Sequence, residues 1–405
     1  MTPLALEPCT LPDLRGSNLP QRLYSRRLEA IAPFRVMELL ARAQALDAAG
    51  VDVVHMEVGE PDFATPQPIL EAAAGAVNDG LTRYTAASGL PELRAAVAGF
   101  YASRYGCDVG YERILVTAGA SGALLLATAM VVEPGDNLVM ADPGYPCNRH
   151  FLQTFGGQAQ LVAVGPGEDY QLNGALVQGA WDERTRGALL ASPANPTGSV
   201  IQEGALRKVI EVVDARAGFL LMDEIYHQLT FTKEPPRSVL SLTNDAFVIG
   251  SFSKYFGMTG FRLGWLVVPE GAQADALKLA QNLFICPSTL AQHAALAAFN
   301  PETMAVMEAQ RVTLQERRDF LVPALREAGF GVPRMPEGAF YVYAELPEGL
   351  EAEAFCNTAL DQYHVSITPG TDFGFHRAQE HVRITYAESL PRLQEGVRRL
   401  ARALR

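Results

Sequence analysis

Apolar and polar positions change period along the chain, and the changes divide it. Between Phe34 and Ala48, Val36, Met37, Leu39, Leu40, Ala43 and Leu46 recur at helical spacing, and Gly50 closes that helix. Residues 53–56 read as a short strand that runs into the loop VGEPDF at 58–63, where Gly59 lets a ligand come close to the backbone. Residues 92–105 read as a helix, preceded by the loop YTAASGLP that starts at Tyr84. Beyond Ile114, short β-rich apolar runs alternate with helices, the pattern of a parallel sheet with crossover helices. The expected strands are 114–117, 137–140, 187–191, 219–222, 246–250 and 263–268, with 158–164 as a further one; helices are expected at 121–132, 146–155 and 203–217. Near Glu302 this alternation gives way to a long charged helix reaching about Ala328. Strands at 339–346 and 381–387 and helices near 352–362 and 390–404 follow it.

The expected fold class is therefore α/β: a large three-layer α/β/α domain with a mostly parallel sheet, plus a smaller α/β domain. The expected division is an arm at 1–30, a large domain at 60–300, and a discontinuous small domain from 31–59 and 301–405. A chain of 405 residues, 48% hydrophobic and 19% charged, has the length and apolar content for two such cores. Its net charge of -12 argues against a nucleic-acid surface, leaving small anions at local Arg or Lys positions. The first residues lack the basic and apolar segments of a secretion leader, and apolar runs such as 123–132 are too short to span a bilayer. A cytoplasmic protein without a membrane partner is expected. Cys9, Cys107, Cys147, Cys286 and Cys356 are far apart, without a CxxC pair or histidines at metal-ligand spacing, and read as reduced thiols with no metal site.

In an open parallel sheet, ligands sit at the carboxyl ends of the strands. Those ends read AGASG at 118–122, DPGY at 142–145, SPANPTG at 192–198, DEIY at 223–226 and SFSK at 251–254. Such a row suits a phosphorylated aromatic aldehyde. Lys254 can attack the aldehyde if its amine is neutral often enough, and Asp223 can keep a ring nitrogen protonated so that the ring accepts electrons. Tyr226 and Asn195 end adjacent strands within reach of a ring oxygen, and Tyr145 can cover a ring face. The amides that open the helix at Ser121, with Ser251, Ser253 and Arg262, can hold the phosphate. Each residue taken alone has an ordinary structural alternative: a helix cap at Asp223 or Ser121, a core aromatic at Tyr145, a turn at Asn195-Pro196. Their recurrence at successive strand ends favours the chemical reading.

These motifs resemble the class I and II aminotransferases, pyridoxal 5'-phosphate enzymes of fold type I, the aspartate-aminotransferase-like fold. The likeness is carried by VGEPDF at 58–63, YTAASGLPELR at 84–94, SPANPTG at 192–198, DEIY at 223–226, SFSKYFGMTGFRLGW at 251–265 and RITYA at 383–387. It implies that Lys254 is the Schiff-base lysine and Asp223 the partner of the pyridine nitrogen. Tyr226 and Asn195 would meet the ring oxygen, Ala120, Ser121 and Arg262 the phosphate, and Tyr145 the ring face. Arg383 would hold the substrate's α-carboxylate with a backbone contact from Gly59, Asn195 adjoining both ligands. Tyr84 matches a tyrosine that crosses to the neighbouring subunit's phosphate, which implies a homodimer with shared active sites. The implied reaction moves an amino group between an L-amino acid and a 2-oxo acid by a ping-pong route. Aspartate-preferring members carry a lysine where this chain has Ser121, so the resemblance does not imply strict aspartate specificity, and Arg35 reads as a surface residue more readily than as a reader of a second carboxylate. A lyase or synthase on the same fold, and a ligand sensor built on it, are the alternatives.

Overall fold

A computed structural model describes residues 24–25 and 27–405. Most of the expected arm, together with Cys9, lies outside the described residues. The first short strand, β1 (Val54–His55), precedes a run of seven that form one sheet: β2 (Ile114–Thr117), β3 (Asn137–Asp142), β4 (Gln158–Ala163), β5 (Thr185–Ala191), β6 (Phe219–Asp223), β7 (Ala246–Ser251) and β8 (Gly264–Val267). Their order is β2-β8-β7-β6-β5-β3-β4, and only β8 runs against the rest. The expected strands are all present, with ends shifted by one or two residues. The reversal of β8 brings its first residue to the edge where its neighbours finish, so Gly264 pairs with both Thr117 and Ser251. Arg262, two positions earlier, thereby joins the carboxyl edge.

Both faces of this sheet are covered, which is why its strands read as continuous apolar runs. Alternate residues go to opposite sides. Val248 and Met222 enter one cluster with Trp265 and Leu190, while Phe247, Ile249 and Leu221 enter the other with Leu266 and Leu189. The helices Gly119–Val131 and Gln273–Phe284 supply the second cluster, and Glu203–Ala215 with Pro91–Tyr105 much of the first.

Four further strands follow: β9 (Tyr341–Glu345), β10 (Val365–Ser366), β11 (Thr368–Pro369) and β12 (His381–Thr385). The antiparallel sheet β11-β12-β9 places Arg383 opposite Tyr343 and Thr368, and β10 pairs in parallel with β1. The helix Arg35–Ala48 packs on β10 and β11, so the chain before β1 and the chain after Glu302 share one layer. Helices Gln67–Asn78 and Thr289–Leu296, absent from the periodicity reading, pack against each other. The alanine-rich Thr289–Leu296 carries no sharp polar face by which periodicity would mark it. No helix among the described residues is long and apolar enough to cross a membrane.

The segment after β1 carries an ion cluster. His55 Nδ1 lies 2.8 Å from Glu57 Oε1 and Nε2 lies 2.7 Å from Asp47 Oδ2, and the Glu57 side chain is fully buried. The Glu57 hydrogen bond, then the Asp47 one, raise His55 to about 9 against an opposing effect of burial. Glu388 adds a carboxyl within electrostatic reach. Because the folded value lies above the unfolded 6.5, the stabilisation is complete below pH 6.5 and is lost as pH rises from there through about 9. Replacing His55 by Gln is expected to cost on the order of 1–3 kcal/mol at pH 6 and almost nothing above pH 9, read by urea unfolding at both values.

Candidate active site

The carboxyl edge of the large sheet opens onto a cavity of about 250 Å³, floored by strand ends and bordered by residues from both ends of the chain. Lys254, Asp223, Asn195, Tyr226, Tyr145, Ser251, Ser253, Ala120, Ser121, Arg262, Gly59 and Arg383, all expected from the sequence, line it together. Tyr84 does not. It is 81% exposed and lies outside this cavity.

Lys254 follows β7 and its Nζ donates to the Gly59 carbonyl at 2.7 Å. Burial lowers its amine to about 8, partly offset by Glu60 and Asp223. Asp223 ends β6, 3% exposed, with its carboxylate accepting from the Ile225 amide at 3.2 Å. Burial raises it to about 7 against that hydrogen bond. The amine is thus neutral more often than that of a surface lysine, and the carboxyl is protonated more often than a surface carboxyl.

Arg383 is 2% exposed on β12. Its guanidinium lies between the rings of Tyr341, at 4.3 Å, and Phe373, at 4.6 Å, donating from Nη1 to Asn195 Oδ1 at 3.0 Å and from Nη2 to the Glu57 carbonyl at 2.5 Å. Both acceptors are neutral, so the charge is not cancelled and is available to an anion. Asn195 has its amide oxygen committed to Arg383, which leaves Nδ2 as its free donor. Tyr226 meets the Tyr341 hydroxyl at 2.8 Å.

Close backbone contacts shape the cavity at two glycines. A Cβ on Gly264 would stand 2.7 Å from the Gly119 carbonyl carbon and 2.8 Å from the Ala120 nitrogen. A side chain there would push away the first turn of Gly119–Val131, whose amides have no side-chain cap. A Cβ on Gly59 would stand 2.2 Å from the Tyr341 hydroxyl, so the close approach that this glycine permits is to Tyr341. The loop carrying Gly59 is held from outside: Arg317 binds Asp62 through two bonds of 2.6 and 3.0 Å, and the Asp62 amide donates to the Ala387 carbonyl.

Several lining residues carry no signal in the sequence reading. Tyr341 is simply the first residue of β9, and Phe34, Val36 and Met37 belong to an amphipathic helix start. Ile225 lies within DEIY, two residues after Asp223, and could have been found there, because an apolar side chain at a strand end between two polar ones is open to a ligand. Arg35, between Phe34 and Val36, faces elsewhere: its guanidinium lies 3.5 Å from Glu353 and 4.0 Å from Glu38.

The donor set fits an aldehyde-bearing phosphorylated pyridine. A partly neutral amine, a buried carboxyl with a raised pKa and an uncapped helix start backed by a glycine that admits no Cβ match its aldehyde, ring nitrogen and phosphate in turn. No group of His, Cys, Asp and Glu among the described residues is arranged to hold a metal ion.

The family model for aminotransferase class I and II matches residues 51–400. A valine–pyruvate aminotransferase from Mycobacterium tuberculosis is 37% identical over 91% of this chain and 96% of its own length. An aspartate aminotransferase from Thermotoga maritima is 32% identical over 93% and 98%. A crystal structure of an aminotransferase from Mycobacterium tuberculosis superposes with a TM-score of 0.90 at 36% identity, covering 95% of this chain and 99% of that one.

The Asp223 carboxyl has a measurable consequence in the cofactor-free chain. Its folded pKa of about 7 lies above the unfolded 3.8, so stability falls as pH rises from 3.8 through 7. The Asp223→Asn apoprotein is expected to be more stable than the parent at pH 8 by up to roughly 4 kcal/mol, and no different at pH 3.5, in parallel denaturation curves. The same variant should hold pyridoxal phosphate less well at pH 8.

Proposed function

This chain belongs to the class I and II aminotransferases, and on that premise we propose that it runs its amino transfer on pyridoxal 5'-phosphate held at the carboxyl edge of the seven-stranded sheet. The protein is an aminotransferase acting on amino acids and 2-oxo acids. The observation that carries the cofactor reading is the pairing of a partly neutral Lys254 with a buried Asp223 in one cavity. When bound, the cofactor supplies an aldehyde for amine exchange and a protonated ring that draws electrons from the substrate's Cα.

The residues have distinct roles in this reading. Ala120, Ser121, Ser251, Ser253 and Arg262 hold the phosphate, Asp223 keeps the ring nitrogen protonated, and Tyr226 and Asn195 donate to the ring oxygen. Tyr145 and Ile225 bound the ring. Arg383 takes the α-carboxylate, with the Gly59 backbone beside it. Its fixed charge orients the substrate so that the Cα–H bond, rather than the carboxylate bond, is the one broken. Lys254, released from Gly59, takes the proton from Cα as general base and returns it as general acid. Amine donor and 2-oxo product leave before the 2-oxo acceptor enters, which gives ping-pong kinetics.

The proposal extends to assembly and organisation. Tyr84 is exposed, and so are Leu81, Leu283 and Ile285. A homodimer would cover these residues and let Tyr84 reach the phosphate of the other subunit. We place the cofactor domain at 60–300, the small domain at 31–59 with 301–405, and the arm at 1–30. A cytoplasmic location accords with unpaired Cys107, Cys147, Cys286 and Cys356. No observation favours the lyase or sensor alternatives.

Adding single amino acids to the cofactor-loaded protein, without any 2-oxo acid, tests the reaction. Loss of the cofactor's visible band with one 2-oxo acid formed per site is expected. Ammonia release without that stoichiometry would point to a lyase. Lys254→Ala should keep the cofactor by its phosphate and ring contacts but lose turnover by about a thousandfold or more, and near-parental turnover would remove Lys254 from the mechanism. Tyr84→Phe is expected to weaken cofactor retention by about tenfold in a dimer, measured by dialysis and absorbance.

A further inference from the structure

We infer that the donor's side chain lies against an apolar wall made by Phe34, Val36 and Met37, and that the enzyme takes amino acids with uncharged apolar side chains and 2-oxo acids to match. This rests on the aminotransferase reading, which by itself leaves the donor open, since the relatives act on both valine and aspartate by name.

The charges of the cavity set the limit. Among the described lining residues the cations are Lys254, Arg262 and Arg383. All three are already engaged, because Lys254 reacts, Arg262 stands at the phosphate end and Arg383 takes the α-carboxylate. Among the described residues no fourth cation lines the cavity to receive a second carboxylate, and Glu60, an acid with no role toward the cofactor, already does. A dicarboxylic donor would therefore place an anion that no described cation pairs in a partly enclosed space, where an unpaired charge is costly.

The wall shows the complementary preference. Phe34 stands edge-on to Tyr145 at 6.2 Å between centroids, Val36 is buried, and Met37 borders the cavity while 54% exposed. An exposed thioether at the rim is an adaptable apolar surface that gains from being covered. The one cation in this segment, Arg35, is turned away, with its guanidinium toward Glu353 and Glu38 and its backbone amide donating to Asp372 at 3.2 Å. The segment thus lines the cavity with three apolar side chains, Met37 at the exposed rim, and sends the charge out. These residues come from the chain before β1, whereas Arg383 comes from β12, so the donor would be gripped between the two ends of the sequence.

The test has two readouts on the cofactor-loaded enzyme. In single-turnover reactions, kcat/KM for aspartate and glutamate is expected to fall at least about 100-fold below that for valine or leucine. By calorimetry, the unreactive acid glutarate is expected to bind at least about tenfold more weakly than 3-methylbutanoate. Met37→Lys should narrow the valine-to-glutamate ratio by about tenfold, by supplying the missing cation. Aspartate or glutamate within tenfold of valine, or glutarate binding as tightly as 3-methylbutanoate, would overturn the inference, because a cation from outside the described lining would then be serving the site. Failure of every amino acid to react would instead defeat the aminotransferase reading, and the two binding constants would still decide the wall.

Discussion

A buried guanidinium held by neutral partners is the constraint on which this site depends. Arg383 is almost wholly out of solvent, and a charge so placed must be satisfied or it destabilises the fold. The chain meets it with two aromatic faces, an amide oxygen and a carbonyl rather than with a carboxylate, and leaves its buried Nε without a partner among the described residues. Each of those partners comes from a different part of the sequence: Tyr341 from β9, Phe373 from the turn before β12, Asn195 from the loop after β5, and Glu57 from the loop after β1. One arginine therefore ties the small sheet to the large one. An acid in place of any of these partners would stabilise the arginine and spend the charge that a substrate carboxylate needs.

The same economy explains the opposite shifts of Lys254 and Asp223. Burial penalises both charges, pushing the amine down and the carboxyl up, so that near neutral pH each is poised between its two forms. Their mutual attraction is among the weaker influences on either. Direct pairing would return both to ordinary values. Separation keeps the amine available as a nucleophile and base and leaves the carboxyl in want of a cationic N–H.

The large sheet was legible because burial on both faces turns its strands into uninterrupted apolar runs, and because polar residues appear where those runs stop. Lys254, Asp223, Asn195 and Arg262 are visible by that rule, since Asp223 ends β6 and each of the others stands within four residues of a strand end. Arg383 is not: it sits inside β12, in a sheet with its own pattern, and only its likeness to a known motif picked it out. Tyr341 and Phe34 were missed for a physical reason. An aromatic residue at a strand or helix start looks the same in sequence whether it fills a core or borders a cavity, and the difference is made by residues more than a hundred positions away, such as Tyr145 for Phe34 and Tyr226 for Tyr341. Tyr84 is the converse case, a motif residue that a single chain leaves in solvent.

A further asymmetry runs between the two ends of the cavity. At the phosphate end Ser121 and Arg262 are exposed and the glycines admit no side chain, so anion binding relies on backbone placement. At the substrate end the described residues supply Arg383 as the cation and Phe34, Val36 and Met37 as an apolar wall. The two candidate anion points share one cavity, with Asp223 also in its lining. A molecule carrying one anionic group for each point and nothing charged between or beyond them is what this distribution accepts. In the proposed reading the cofactor phosphate and the substrate α-carboxylate fill both points, and the described lining leaves no further cation for a third anion.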